Sequence, residues 1–167
     1  MRRPVLLLIF GLFWGCGPPA PPHGGAGLVG ERAPAFRLPD LSGHETSLDE
    51  YRGKIVLLDF WASWCGPCRI SMPIIEKLRR EYPDDLVLLA VNLQESEGTV
   101  RRYVERYNLR ARVLLDSDGQ VSSSYGVDSI PTQVLVDRHG TVRHVQVGVS
   151  PGLGDEMCRR IEELKKS

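Results

Sequence analysis

Cys65 and Cys68 stand two residues apart in the stretch WASWCGPCRISMP, residues 61–73, with Gly66 and Pro67 between them and Trp64 in front. Three chemistries use such a pair: metal ligation, a bracing bridge, and reversible thiol-disulfide exchange. Zinc normally takes four ligands, supplied by two such pairs or by one pair and closely spaced histidines. The remaining cysteines, Cys16 and Cys158, lie at opposite ends of the chain, and His23, His44, His139 and His144 show no ligand spacing. No metal and no cofactor is expected. A bridge closed over two residues removes little unfolded-state entropy, so bracing is a poor use of the pair. Exchange chemistry fits best.

Placement favours the same chemistry. KIVLLDF, residues 54–60, is an apolar run of strand length, and a helix is expected from about Pro67, whose missing amide hydrogen costs nothing in a first turn. A cysteine at a helix N-terminus is stabilised as thiolate by free amides and the helix dipole. Lowering a thiol pKa from about 8.5 to about 7 raises the thiolate fraction at neutral pH from a few per cent to roughly half. Cys65 is therefore expected to be the nucleophile, and Cys68, one turn further on and more deeply placed, the resolving thiol. Asp59, six residues before Cys65, is the only carboxylate in the apolar run and is expected to move the Cys68 proton. Trp64, Gly66 and Pro67 border the reactive sulfur and are expected to touch substrate.

The elements that must hold this pair follow from period and punctuation. AFRLPDLSGHETSL reads as a hairpin turning at Asp40–Gly43. After the cysteines, Ile70, Ile74, Leu78 and Tyr82 recur every four residues and read as the buried stripe of the helix, with a kink expected at Pro73. LVLLAVNL (86–93), RVLLD, TQVLVD and TVRHVQVGV read as strands, the last two joined at Arg138–Gly140. TVRRYVERYNL carries Val100, Tyr103, Val104 and Tyr107 on one helical face, and Met157, Ile161 and Leu164 mark a closing helix. Such alternation predicts an α/β domain in which one mixed sheet is flanked by helices on both sides. Trp61 is expected in the core, and Cys158 as a small core residue.

The chain opens MRRPVLLLIFGLFWGC. Two arginines precede an apolar run from Val5 to Trp14, too short for a spanning helix but suited to a signal peptide over residues 1–15. FWGC resembles a bacterial lipobox, with Phe13 where leucine is usual, and implies Cys16 as an acylated lipid anchor. Residues 16–30 are rich in proline and glycine and read as a tether, leaving 31–167 as the folded domain. An extracytoplasmic, periplasm-facing bacterial lipoprotein attached to a membrane is expected, in a compartment that permits disulfides. Lysine plus arginine equals aspartate plus glutamate at 21 each, so no nucleic-acid footprint is present.

LLDFWASWCGPC resembles the active-site segment of thioredoxin, acid included, and SIPT (129–132) resembles the cis-proline loop of that family. Over residues 31–166 the chain is similar to the exported TlpA/ResA branch of the thioredoxin-like family. The resemblance rests on GERAPAFRLPDLSG, LDEYRGKIVLLDFWASWC and the extra strand and helix before LLDSDGQVSSSYGVDSIPT. It implies a thioredoxin-like fold with an N-terminal hairpin and a strand-helix insertion. It further implies that Pro131 is cis and faces the cysteines, and that the Ile130 backbone pairs with an extended substrate. Implied partners are exported proteins with disulfides or thiols and an electron donor such as a membrane thiol-disulfide relay. Ser71 stands where members devoted to cytochrome c maturation often carry glutamate, and Asp59 where many exported relatives carry asparagine. Gly-Pro between the cysteines resembles the reducing members. Two other readings compete. A thiol peroxidase of the peroxiredoxin class would place threonine or serine three residues before its cysteine, where Ala62 stands. A non-catalytic binding or chaperone module would use the groove of Trp64, Ile130 and Pro131 without turnover.

Overall fold

Ile55–Trp61 (β3) is buried at every position, which a strand achieves only when both sheet faces are covered. Its side chains alternate accordingly. Ile55, Leu57 and Trp61 enter one core, Val56, Leu58 and Phe60 the other. The computed structural model describes residues 26–166. The leader, Cys16 and the tether as far as residue 25 lie outside the described residues.

Around β3 a five-stranded sheet forms in the order β5-β4-β3-β6-β7, from Leu86–Leu93 (β4), Arg112–Asp116 (β5), Thr132–Val136 (β6) and Val142–Val147 (β7). β3 runs parallel to β4 and antiparallel to β6, so the sheet is mixed. The helices Gly66–Glu81 (α1) and Glu97–Tyr107 (α2) are crossovers between parallel strands, and their shared hand puts them on one face. Leu153–Lys165 (α4) joins them there: Met72, Ile75, Val100, Tyr103, Met157 and Ile161 share one cluster. The opposite face is covered mostly by extended chain. Leu38, from the hairpin of Arg37–Pro39 (β1) and Glu45–Ser47 (β2), and Phe36 just before it pack there with Leu48 and with Tyr125, which follows the five-residue helix Gln120–Ser124 (α3). The Tyr125 hydroxyl ties the layer down by donating to Pro34 O at 2.8 Å.

Three details depart from the sequence reading. The buried stripe of α1 is Cys68, Met72, Ile75 and Leu78, whereas Ile70 is 62 % exposed and Ile74 only half-buried. A step of four residues turns a helix by about 400°, so positions 70, 74, 78 and 82 drift by roughly 40° per step and spiral from solvent into the core. Within that helix Pro73 causes no break, and α1 runs on to Glu81. Regular structure already precedes Glu31, with a single 3-10 turn at Ala26–Leu28 and Gly30 N donating to Val142 O at 2.8 Å. Finally, α3 lies in a stretch with no apolar period. It forms because the buried Asp116 carboxylate accepts from Val121 N and Ser122 N and so satisfies its first turn.

Candidate active site

The end of β3, the loop Ala62–Trp64 and the start of α1 set the cysteines. Cys65 is the N-cap of α1, with Cys68 N–H donating to Cys65 Sγ at 3.1 Å. Gly66 and Pro67 fill the first turn, where proline forfeits no hydrogen bond. The two sulfurs are joined as a disulfide. Cys68 is the deeper of the two, at 0 % exposure against 3 % for Cys65. The sulfur of Cys65 is thus less open than its helix-end position implies. The cause is the loop opposite: the Ile130–Pro131 bond is cis, and Ile130 O lies 3.7 Å from Cys65 Sγ. Trp64, in contrast, is 69 % exposed beside the pair.

That loop is fixed at both ends. Thr132 Oγ1 donates to Ser129 O at 2.7 Å, and Gly148 N donates to Pro131 O at 2.8 Å, which brings exposed Val147 and Val149 alongside. The structure therefore gathers Trp64, Cys65, Gly66, Pro67, Ile130 and Pro131 as the sequence proposes. The Val147–Val149 segment, 82 residues and more from Cys65, had no local signal.

Asp59 lies on the same face of β3 as Leu57 and Trp61, the face that α1 covers, and is fully buried. It is no edge residue. Its neighbours in register are Ala90 on β4 and Gln133 on β6. Gln133 Nε2 donates to Asp59 Oδ1 at 2.7 Å, while Oδ2 has no partner. Burial pushes the acid up from its ordinary 3.8 to about 7, and the Gln133 hydrogen bond opposes the rise only partly. A carboxyl so placed changes protonation at the pH where a thiol of lowered pKa does. Gln133 escaped the sequence reading, although a glutamine inside the apolar run TQVLV is the same kind of signal as Asp59 in its own run.

Glu95 was also missed. Its carboxylate accepts from Ser63 N at 2.7 Å, from the Ser63 hydroxyl, and from Asn92 Nδ2 at 2.8 Å. The loop leading into Cys65 is thereby pinned to the end of β4. Nothing local could reveal this, since Ser63 and Glu95 are 32 residues apart. Glu95→Ala leaves buried Asn92 and the Ser63 amide without their acceptor, and should lower the unfolding free energy by about 1–3 kcal/mol in urea titration. An unchanged midpoint would show the loop is held by other means.

Cys158 is half-buried rather than in the core, and its Sγ lies 3.8 Å from Glu81 Oε2. Among the described residues there is no group of three or more histidine, cysteine or acidic side chains placed to hold a metal ion. No described helix is long and apolar enough to cross a membrane.

Comparison with known proteins agrees with this geometry. A family model described as Redoxin matches residues 28–157. The "Thioredoxin-like protein YneN" of Bacillus subtilis is 43% identical over 122 residues, 71% of each chain. The "Thiol-disulfide oxidoreductase ResA" of Geobacillus kaustophilus is 38% identical over 138 residues, 82% of this chain and 78% of the relative. Among solved structures, a putative thiol:disulfide interchange protein DsbE from Chlorobium tepidum superposes with a TM-score of 0.77 at 35% identity, covering 81% of this chain and 96% of the other. The thioredoxin-like fold expected from the WASWCGPC and SIPT segments is thus present, and the chain belongs to the Redoxin family.

Proposed function

We propose that this thiol-disulfide oxidoreductase reduces disulfides of exported proteins, with Cys65 attacking and Cys68 resolving. The observation that carries the reading is the position of Cys65 Sγ at the N-cap of α1, receiving the Cys68 amide. In the dithiol state the same amide and the helix dipole stabilise a Cys65 thiolate.

The thiolate attacks one sulfur of the client disulfide. A mixed disulfide forms as the client bond breaks, and the departing client sulfur takes up a proton. Cys68 then gives its proton to Asp59 Oδ2 and attacks Cys65 Sγ, releasing the second client sulfur as a thiolate that is protonated in turn. Two electrons have passed from the cysteine pair to the client. The pair is left oxidised, the state the structure holds, and an extracytoplasmic dithiol donor must restore it. Trp64, Gly66, Pro67, Ile130 and Pro131 form the surface on which the client segment lies, with the Ile130 backbone pairing to it as an added strand.

The leader at 1–15, Cys16 and the tether complete the reading: the domain works outside the cytoplasm, held to a membrane by an acyl chain on Cys16. Labelled palmitate should enter the full chain and be lost in Cys16→Ser; equal labelling would remove the anchor.

Insulin reduction with dithiothreitol as donor tests the activity. The wild-type protein should accelerate it and Cys65→Ser should not; a rate that survives Cys65→Ser contradicts the mechanism. Efficient peroxide consumption would favour the peroxidase, and client binding unchanged after loss of both cysteines would favour the binding module.

A further inference from the structure

Beside the cysteine pair, α1 and α2 enclose a concavity of about 340 Å³ whose wall includes Arg69, Arg80, Arg110, Tyr103 and Tyr107. We propose that it is a subsite for acidic residues of the client chain that flank the disulfide under attack. The inference rests on the oxidoreductase reading and names the chemistry of the substrate segment.

The charge of the concavity is unbalanced. Arg69, Arg80 and Arg110 are exposed, and their guanidinium groups make no ion pair or hydrogen bond among the described residues. The one carboxylate in the wall, Glu76, is already committed. Its Oε2 accepts from Arg79 Nε at 3.0 Å, and its Oε1 from Arg110 N at 2.8 Å and Ala111 N at 2.6 Å. Three cations therefore face solvent around a neutralised floor. Tyr103 and Tyr107 pack with ring centroids 4.5 Å apart at an interplanar angle of 40°, and Arg106 sits 5.7 Å from the Tyr107 ring. Such a surface offers forked guanidinium donors for carboxylates and rings for the chain between them.

Position ties it to the cysteines rather than to a remote function. Arg69 follows Cys68 directly, and its Nη2 lies 3.8 Å from where a side-chain carbon on Gly66 would stand, so the guanidinium reaches back toward the mouth of the pair. From Arg69 to Arg80 the helix advances about 16 Å at roughly 1.5 Å per residue. An extended segment covers that distance with about five residues at roughly 3.3 Å each. A client strand leaving the mixed disulfide along α1 thus brings the second to fifth residues from its cysteine over the arginines. The chain as a whole carries balanced charge, so the patch is local and matches a short acidic segment rather than a polyanion.

The test uses the reduced full chain and peptides bearing one cysteine in mixed disulfide with a chromogenic thiol. One peptide carries glutamate two to five residues from the cysteine on both sides, the other glutamine. The wild-type kcat/KM should favour the glutamate peptide roughly tenfold, equivalent to about 1.4 kcal/mol. The preference should shrink as salt is raised from about 0.05 to 0.5 M, as screening shortens. In R80Q/R110Q, with folding checked by thermal unfolding, the ratio should fall toward one. Equal wild-type rates on the two peptides, or a preference that survives R80Q/R110Q, would overturn the subsite while leaving the oxidoreductase reading intact. Reduction of neither peptide would overturn that reading, and this inference with it.

Discussion

Cys68→Ala is expected to turn the protein into a trap that carries client proteins on Cys65 as stable mixed disulfides. The first exchange step needs only the Cys65 thiolate, whose N-cap position survives because the Cys68 amide, not its side chain, donates to Sγ. The second step loses its nucleophile. Resolution by a neighbour held one turn away has an effective concentration far above any thiol in solution, since well-oriented intramolecular reactions reach effective molarities on the order of 10⁵ M or more. Multiple-turnover insulin reduction should therefore fall by at least about 10²-fold, while adducts accumulate on non-reducing gels and collapse with dithiothreitol. The fold should tolerate the change, because losing one buried sulfur opens only a small void costing about 1 kcal/mol. Adducts on Cys65→Ala but none on Cys68→Ala would reverse the assignment of the two sulfurs.

The second large effect concerns Asp59. Folded, it ionises near pH 7; its ordinary value is 3.8. Between those values the folded protein keeps a proton that the unfolded chain has lost, so stability falls as pH rises through that window. The cost is absent below about pH 3.8, grows to about pH 7 and is constant above, reaching on the order of 4 kcal/mol. Asp59→Asn removes the ionisation and keeps an Oδ1 acceptor for Gln133. The stability difference between variant and wild type should therefore move in favour of the variant by on the order of 2–4 kcal/mol from pH 4 to pH 8. Packing terms that do not depend on pH cancel from this comparison.

Activity should move oppositely. With no base for Cys68, resolution should slow by about 10²-fold and lose the rise through pH 7 that the wild type is expected to show. Gln133→Leu should shift that midpoint above 7, because the hydrogen bond opposing the burial effect is gone. An Asp59→Asn enzyme with the wild-type pH profile would exclude Asp59 from proton transfer.

What the sequence made legible was whatever a short string can encode. β4 and β5 have the bounds of the runs LVLLAVNL and RVLLD, and the chemistry of Cys65 and Cys68 follows from two residues and the helix start behind them. Asp59 was visible because an acid in a strand buried on both faces has no solvent to reach. The phase of α1 was not, since Ile70 and Ile74 have the chemistry of core residues and only the packing of Cys68 and Met72 decides which line faces inward. Gln133 and Glu95 depend on register: Gln133 meets Asp59 across paired strands from 74 residues away in sequence, and Glu95 meets Ser63 only once β3 and β4 are aligned. α3 depends on a carboxylate folding back on the chain after β5, which no period announces.

The role of Cys65 rests on its ionisation at the head of α1. Alkylation of the fully reduced protein with iodoacetamide from pH 5 to 10, with each cysteine followed by mass spectrometry, measures that directly. Cys65 should react first, with a midpoint near 7, well below the roughly 8.5 of a free thiol, while Cys68 lags behind at every pH. Faster modification of Cys68, or a Cys65 midpoint at or above 8.5, would contradict the mechanism at its first step.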